Sequence, residues 1–443
     1  MRILALLLAS LLTLAAAPVP AVRTVYRHAA LIDGTGAPLR RDMAVVVAGE
    51  RIASVVRDRA LTLRQLRGAR VVDLSGKYLL PGLIDSHQHI ATPPERAKAL
   101  ALLRRQLYSG VTAIRDMADD VREVRALDAM GRSGAIAAPE ISYAALVAGP
   151  SFFADPRVAA ASKGFAPGTA PWMQAVDEKT DIPATIARAK GTGAIALKIY
   201  ANLSASLVAR LTGEAHRQGL AVWAHGMVFP ATPAEVVAAG PETVSHINYL
   251  AYQAMDRRPQ SYQDRFPIDY ARFAQGDTAA MAALFREMRR RGVILDATIR
   301  VYAEREKQAV RKGEAPRGAT ELAERLVDQA WRAGVAISAG TDGDSPRAAA
   351  YPSLFDEIEL LGAAGLPPLQ AIRAATLVGA RTLRQEREMG SVAAGKLANL
   401  VVLDRNPLES LANMRSVVLT VKRGRAYPRA DYRPIGPEEM KDD

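Results

Sequence analysis

Lys198, in ALKIYA, shares this chain with His87 and His89 in LIDSHQHI, His225 in VWAHGM, His246 in VSHI and Asp342 in SAGTDGD, and the whole sequence has only six histidines. A protonated lysine would be repelled from a metal held by imidazoles. If carbon dioxide converts its amine to a carbamate, the side chain becomes an anionic bridging ligand. The set then reads as a hydrolytic site for two divalent ions, with zinc the expected metal. His87 and His89 are two residues apart on an expected strand, so their side chains share a face and reach one ion. Tyr200 follows Lys198 at the same spacing. It is placed either to donate a hydrogen bond to a substrate carbonyl or oxyanion, or to pack at the rim of the fold.

These residues need a scaffold that brings distant segments to one point. Strand-like runs, LIDSHQHI, VTAIRDM, EISYAALVAG, AIALKIYA, LAVWAHGM, ETVSHI, VILDATIRVY and VAISAGTDGD, alternate with helical stretches such as Glu95 to Tyr108, Leu207 to Gln218, Thr278 to Arg291 and Glu321 to Arg332. Gly110, Gly193, Gly219, Gly240, Gly292 and Gly334 stand just before the next strand, where a helix C-terminal cap belongs. Eight strand-then-helix units predict an α/β fold, a (β/α)8 barrel over residues 81–385. An open doubly wound sheet is the competitor, but the glycine-rich phosphate turn that usually marks it is missing. In the barrel reading each candidate residue sits at the C-terminal end of its own strand, the end where this fold builds active sites. Long connections at 150–180 and 250–277 are candidate pocket walls or lids, with Phe152 and Phe153 forming either an apolar wall or core packing. Residues 22–80 and 386–430 carry short β-branched runs split by turns, and predict a small β-sandwich domain built from both chain ends, with 431–443 as a tail. His28 in that sheet and His216 in a helix stay outside the site.

Composition is that of an ordinary globular protein, 49% hydrophobic and 23% charged. The net charge of +12 raises nucleic acid as a partner, but the positive residues are scattered without interleaved aromatics, so a solvated basic surface is expected and no nucleic acid. Residues 1–21, MRILALLLASLLTLAAAPVPA, have one early arginine, a short apolar run and a small-residue end, the pattern of a cleavable signal peptide. The expectation is therefore a periplasmic or secreted protein with no stable membrane insertion after cleavage. Cysteine is absent, so core burial and metal must supply stability without disulfides.

The entry segment YLLPGLIDSHQHI, the Arg115-Asp116 pair in GVTAIRD, the LKIYA strand, the GTD segment and the closing GSVAAGKLANLVVLDRNP together resemble the amidohydrolase superfamily. More narrowly, they resemble its metal-dependent members with a carboxylated lysine, the imidazolonepropionase-like and Xaa-Pro dipeptidase-like enzymes. The resemblance implies that His87, His89 and Asp342 bind one ion, that His225 and His246 bind the other, and that carboxylated Lys198 bridges them with a hydroxide. It also implies that Asp342 shuttles a proton to the leaving group, with a dipeptide or N-acyl amino acid as the small-molecule substrate. Two positions depart from the dipeptidase-like pattern. Gly149-Pro150-Ser151-Phe152-Phe153 stands where a glycine-glycine-histidine motif is usual, and Met227 where a second histidine often follows the fifth-strand ligand. A lactonase or carbamate hydrolase would use the same site. An inactive metal-binding barrel is the alternative from another class, and a homo-oligomer is left open.

Overall fold

The computed structural model describes residues 23–92, 95–274 and 276–441, so the expected signal segment lies outside the described residues. Eight parallel strands form the centre: β1 (Leu83–Gln88), β2 (Val111–Asp116), β3 (Glu140–Ala148), β4 (Ala196–Ile199), β5 (Ala221–His225), β6 (Thr243–Ser245), β7 (Ile294–Asp296) and β8 (Ile337–Ser338). Each pairs with its successor in chain order. The ring closes where the Ser86 N–H donates to the Ala339 carbonyl at 2.8 Å. Every residue of these strands except half-buried Ser142 is buried. Helices cover the outer face, as a parallel sheet requires.

The helices form where the sequence pattern places them. Ala279–Arg291 buries Met281, Leu284, Phe285 and Met288, an apolar stripe of helical period. Side chains of Asp120, Asp181, Ser204, Thr232 and Thr278 accept hydrogen bonds from the first helical turns, each cap contributing about 1 kcal/mol. The six expected cap glycines all have positive φ, between 72° at Gly292 and 93° at Gly110.

Two segments differ from the sequence reading. VILDATIRVY is a strand only at Ile294–Asp296, and Ile299–Arg311 is helical. The break comes at Thr298, with φ 50°, and the new helix start is held by Glu357, whose carboxylate accepts from Ile299 N at 3.2 Å and Arg300 N at 2.7 Å. That cap comes from 58 residues away, beyond any local pattern. The connection after β3 is also more ordered than a plain loop. It holds a turn at Pro150–Ala154, a helix at Pro156–Ala161 and a hairpin whose Met173–Ala175 strand pairs in parallel with the end of β3.

The chain ends meet in a second sheet of eight strands. Leu400–Leu403, after the barrel, pairs antiparallel with Tyr78–Pro81, before it. The sheet is continuous in its hydrogen bonds and divides at Arg23–Leu31, which pairs with Arg70–Asp73 along its first half and with Tyr78–Pro81 along its second. Both parts bury alternate residues, such as Val45 and Val47 or Leu400 and Val402, in one shared core. Buried Glu140, at the start of β3, pairs with Lys422 at 3.4 Å and Arg423 at 2.8 Å, tying this sheet to the N-terminal end of the barrel. The final stretch folds back on the barrel, where Glu439 pairs with Arg104 at 2.9 Å. Among the described residues no helix is long and apolar enough to cross a membrane.

Candidate functional site

At the C-terminal ends of the barrel strands the chain turns sharply. Ala118, Asn202, Phe229, His246, Thr298 and Asp342 all have positive φ, from 47° at Asp342 to 86° at Ala118. Each such turn costs roughly 1–3 kcal/mol, and such strain gathers at functional sites. Here it turns side chains into the barrel mouth.

Ligating atoms of His87, His246 and Asp342 lie within 4.8 Å of one another. Asp342 Oδ1 is 3.5 Å from His87 Nε2 and 3.6 Å from His89 Nε2, and its Oδ2 is 3.8 Å from His246 Nδ1. The His225 ring is centred 4.8 Å from that of His246. Lys198 is 1% exposed, and its Nζ has no hydrogen-bond partner. All six residues expected to hold metal therefore converge on one mouth.

Other groups orient each imidazole. His87 Nδ1 is 2.7 Å from Asp296 Oδ2, His89 Nδ1 is 3.1 Å from Asp119 Oδ1, His225 Nδ1 is 2.9 Å from the Met227 carbonyl, and His246 Nδ1 is 3.0 Å from Thr298 Oγ1. Such partners set ring orientation and tautomer. Asp296 is itself held by Arg115 Nη2 at 2.8 Å and Ser245 Oγ at 2.7 Å. Asp85 accepts from His87 N, Gln88 Nε2 and both donors of Thr341, pinning the turn of β1 to that of β8. Sequence reasoning missed Asp296, Asp119 and Thr298. Asp296 had a readable signal, since it ends the apolar run VIL as the other ligands end theirs. The Met227 carbonyl had none, because a backbone acceptor has no side-chain signature.

Burial drives the electrostatics. It lowers the pKa values of His87, and of His225 and His246 strongly, so these rings stay neutral and free to ligate. Burial, followed by the Arg115 charge, pushes the Lys198 amine down to about 7. Asp296 is held low despite its burial by His87 and Arg115. Asp85, by contrast, is pushed up to about 7 by burial. An unpartnered ammonium sealed inside a protein is costly. A neutral amine able to take up carbon dioxide, converted to an anion facing cations, removes that cost. The donor set of imidazoles and a carboxylate fits a divalent metal, with His87, His246 and Asp342 close enough to share one ion.

Tyr200 packs at the rim and also borders the site. Its ring stacks 4.6 Å from Phe152 at the rim and 4.9 Å from His225 in the site, and its hydroxyl is 3.4 Å from that of Tyr262. Phe152 and Phe153 are buried, so they are packing that also backs the wall. The 250–277 connection supplies Tyr252 and Tyr262, which cluster with Met227 and Phe229. His216 pairs with Glu242 at 3.3 Å and His28 with Asp42 at 3.0 Å, and neither enters the mouth.

The barrel with its two-ended sheet and this mouth of imidazoles and carboxylate define a metal-dependent hydrolase type of architecture. Residues 78–427 match the Amidohydrolase family, and the chain belongs to it. It is 39% identical over 88 residues to the imidazolonepropionase of Anaeromyxobacter dehalogenans (strain 2CP-C), covering 19% of this chain and 21% of that protein. It is 33% identical over 87 residues to the 5-methylthioadenosine/S-adenosylhomocysteine deaminase of Thermoanaerobacter pseudethanolicus, covering 18% and 20%. These alignments span about a fifth of each curated relative. Among solved structures, ochratoxinase of A. niger superposes with a TM-score of 0.72 at 20% identity over 96% of this chain and 99% of that one. A putative prolidase from Bifidobacterium longum gives 0.69 at 25% identity over 94% and 96%. A Xaa-Pro dipeptidase with bound methionine in its active site gives 0.69 at 22% over 92% and 100%.

Proposed function

We propose that this chain is an exported hydrolase that uses two divalent ions, zinc by expectation, to cleave an amide or peptide bond in a small substrate of the dipeptide or N-acyl amino acid type. The observation that carries the reading is the buried Lys198 Nζ, without a hydrogen-bond partner, whose charge reaches all four histidines and Asp342. His87, His89 and Asp342 would hold one ion, His225 and His246 the other, with the carbamate of Lys198 between them. When bound, the ions polarise the substrate carbonyl and acidify water.

The remaining chemistry belongs to the side chains. Asp342, partly exposed at 21% and facing three imidazoles, takes a proton from the attacking water as the oxygen–carbon bond forms. It returns that proton to the nitrogen as the carbon–nitrogen bond breaks, so the products are an acid and an amine. Burial holds the Tyr200 hydroxyl well above its ordinary pKa, so it stays protonated and serves as a donor to the oxyanion. Asp296, Asp119 and Thr298 keep the ligand rings in place throughout.

The test combines metal analysis after exhaustive dialysis with a panel of N-acyl amino acids, dipeptides and aryl amides. Two ions per chain and turnover of at least one amide are expected. One ion or none would remove the two-metal reading, and two ions without any amide turnover would remove the amide assignment.

A further inference from the structure

Beside the metal-ligand cluster a cleft of about 440 Å³ opens between the 250–277 connection and the helix Ile299–Arg311. Tyr249, Tyr252, Tyr302, Arg265, Arg305 and Arg317 line it. Tyr249 belongs to both, because its ring lines the cleft and lies 4.4 Å from that of His225 and 6.0 Å from that of His246. A group entering the cleft is therefore one side chain away from the reacting centre.

Two cations of the cleft, Arg265 and Arg305, have no carboxylate partner among the described residues. Arg265 is fixed in place, its guanidinium 3.5 Å over the Tyr262 ring and its Nη1 donating to the Tyr262 carbonyl at 2.6 Å, yet among the described residues no carboxylate pairs with it. Arg305 likewise has no carboxylate partner among the described residues, although its charge reaches Tyr249, Tyr302 and His246. Neighbouring arginines behave differently: Arg272 pairs with Asp256, Arg311 with Glu304 and Arg157 with Asp155. The carboxylates of the cleft itself do not neutralise the pair. Glu306 is spent on the backbone N–H groups of Ala319 and Thr320 and on the Thr320 hydroxyl, and Glu314 pairs with neither arginine among the described residues. Two guanidinium groups without carboxylate partners among the described residues, one of them over a tyrosine face, make an electropositive, partly apolar receptor.

We propose that Arg265 and Arg305 bind a carboxylate on the leaving half of the substrate, while Tyr249 and Tyr252 accept an apolar side chain beside it. The inference rests on the amide-hydrolase reading for where the scissile bond sits, and it assigns the side chains that recognise the free carboxylate on the released amine. Volume agrees, since a cleft of about 440 Å³ holds one large amino-acid residue.

The test compares N-acetylphenylalanine with N-acetylphenylalaninamide as substrates for the zinc-loaded chain and its Arg265→Met, Arg305→Met, Arg305→Lys and Arg272→Met variants. Wild type is expected to prefer the carboxylate in kcat/KM. Each methionine variant should reduce that preference by about tenfold, the scale of one charge-assisted hydrogen bond. Arg305→Lys should recover part of it and Arg272→Met should retain all of it. Equal use of the two substrates by wild type, or a preference that survives both methionine variants, would overturn the subsite. If neither compound is cleaved, the amide assignment fails separately. Calorimetric binding of 3-phenylpropanoate then decides the subsite: weaker binding in the methionine variants supports it, and unchanged binding overturns it.

Discussion

Asp296→Asn isolates one charge without altering shape. Oδ2 of Asp296 accepts from His87 Nδ1 at 2.7 Å, Arg115 Nη2 at 2.8 Å and Ser245 Oγ at 2.7 Å, whereas Oδ1 has no partner and lies against Gly340. An asparagine can set its oxygen where Oδ2 was and its amide toward Gly340, so the steric change is small. The electrostatic change is large, because Arg115 and Asp296 are both 0% exposed and the guanidinium loses its one ion-pair partner among the described residues. Breaking a buried pair by removing one member costs about 3–5 kcal/mol. The same carboxylate orients His87, and loss of such a partner lowers metal affinity about 10- to 100-fold. Thermal unfolding with and without chelator, alongside zinc titration, separates the two effects. The variant should melt lower in both conditions and bind zinc more weakly than wild type. An Asp296→Asn protein with wild-type melting in chelator would refute the buried-pair argument. Unchanged zinc affinity would refute the orienting role.

Lys198→Ala should lose metal and turnover, and added formate, acetate or propionate should restore part of the activity by standing in for the carbamate; full activity without a carboxylate would refute the bridge. Gly340→Ala should abolish metal binding, since a methyl there would overlap Asp296 Oδ1 and stand 2.8 Å from His87 Cβ, and a variant with normal metal content would show that the turn can yield. His225→Ala should cut turnover by orders of magnitude while His216→Ala should leave it near wild type, which steady-state kinetics on a cleaved amide resolves. Glu242 accepts from Val222 N and pairs with His216 and Arg384, and these contacts outweigh burial to hold its carboxyl at about 2 against an ordinary 4.5. The depressed value means the unfolded chain binds more protons between those pH values, so Glu242 stabilises the fold above about 4.5 and that contribution is lost as pH falls toward 2. Glu242→Gln should flatten this part of the acid-unfolding curve; an unaltered slope would contradict it.

Local signals in the chain were sufficient for the framework. Apolar runs ended by histidine, lysine or aspartate, separated by helical stretches capped at glycine, mark a barrel whose strand ends face one mouth, because parallel strands joined by right-handed crossovers put all C-terminal ends on the same side. From that rule alone His87, His89, Lys198, His225, His246 and Asp342 had to converge. Short β-branched runs at 24–80 and 390–427 likewise marked the second sheet, since period-two burial shows in each strand separately.

Tertiary structure decided what local pattern does not encode. VILDATIRVY is apolar enough to read as one strand, and only the Glu357 carboxylate, brought from another helix, starts a new helix at Ile299. Asp296 meets His87 across 209 residues of sequence, and the Met227 carbonyl serves His225 where a related pattern would place a histidine. The lowered pKa of Lys198 is a consequence of burial and of Arg115 nearby, neither of which a lysine in ALKIYA reveals. Composition and periodicity determine which side chains point inward. Their partners, and with them charge state, orientation and the cations of the adjoining cleft, depend on which distant segments the closed barrel brings within a few ångströms.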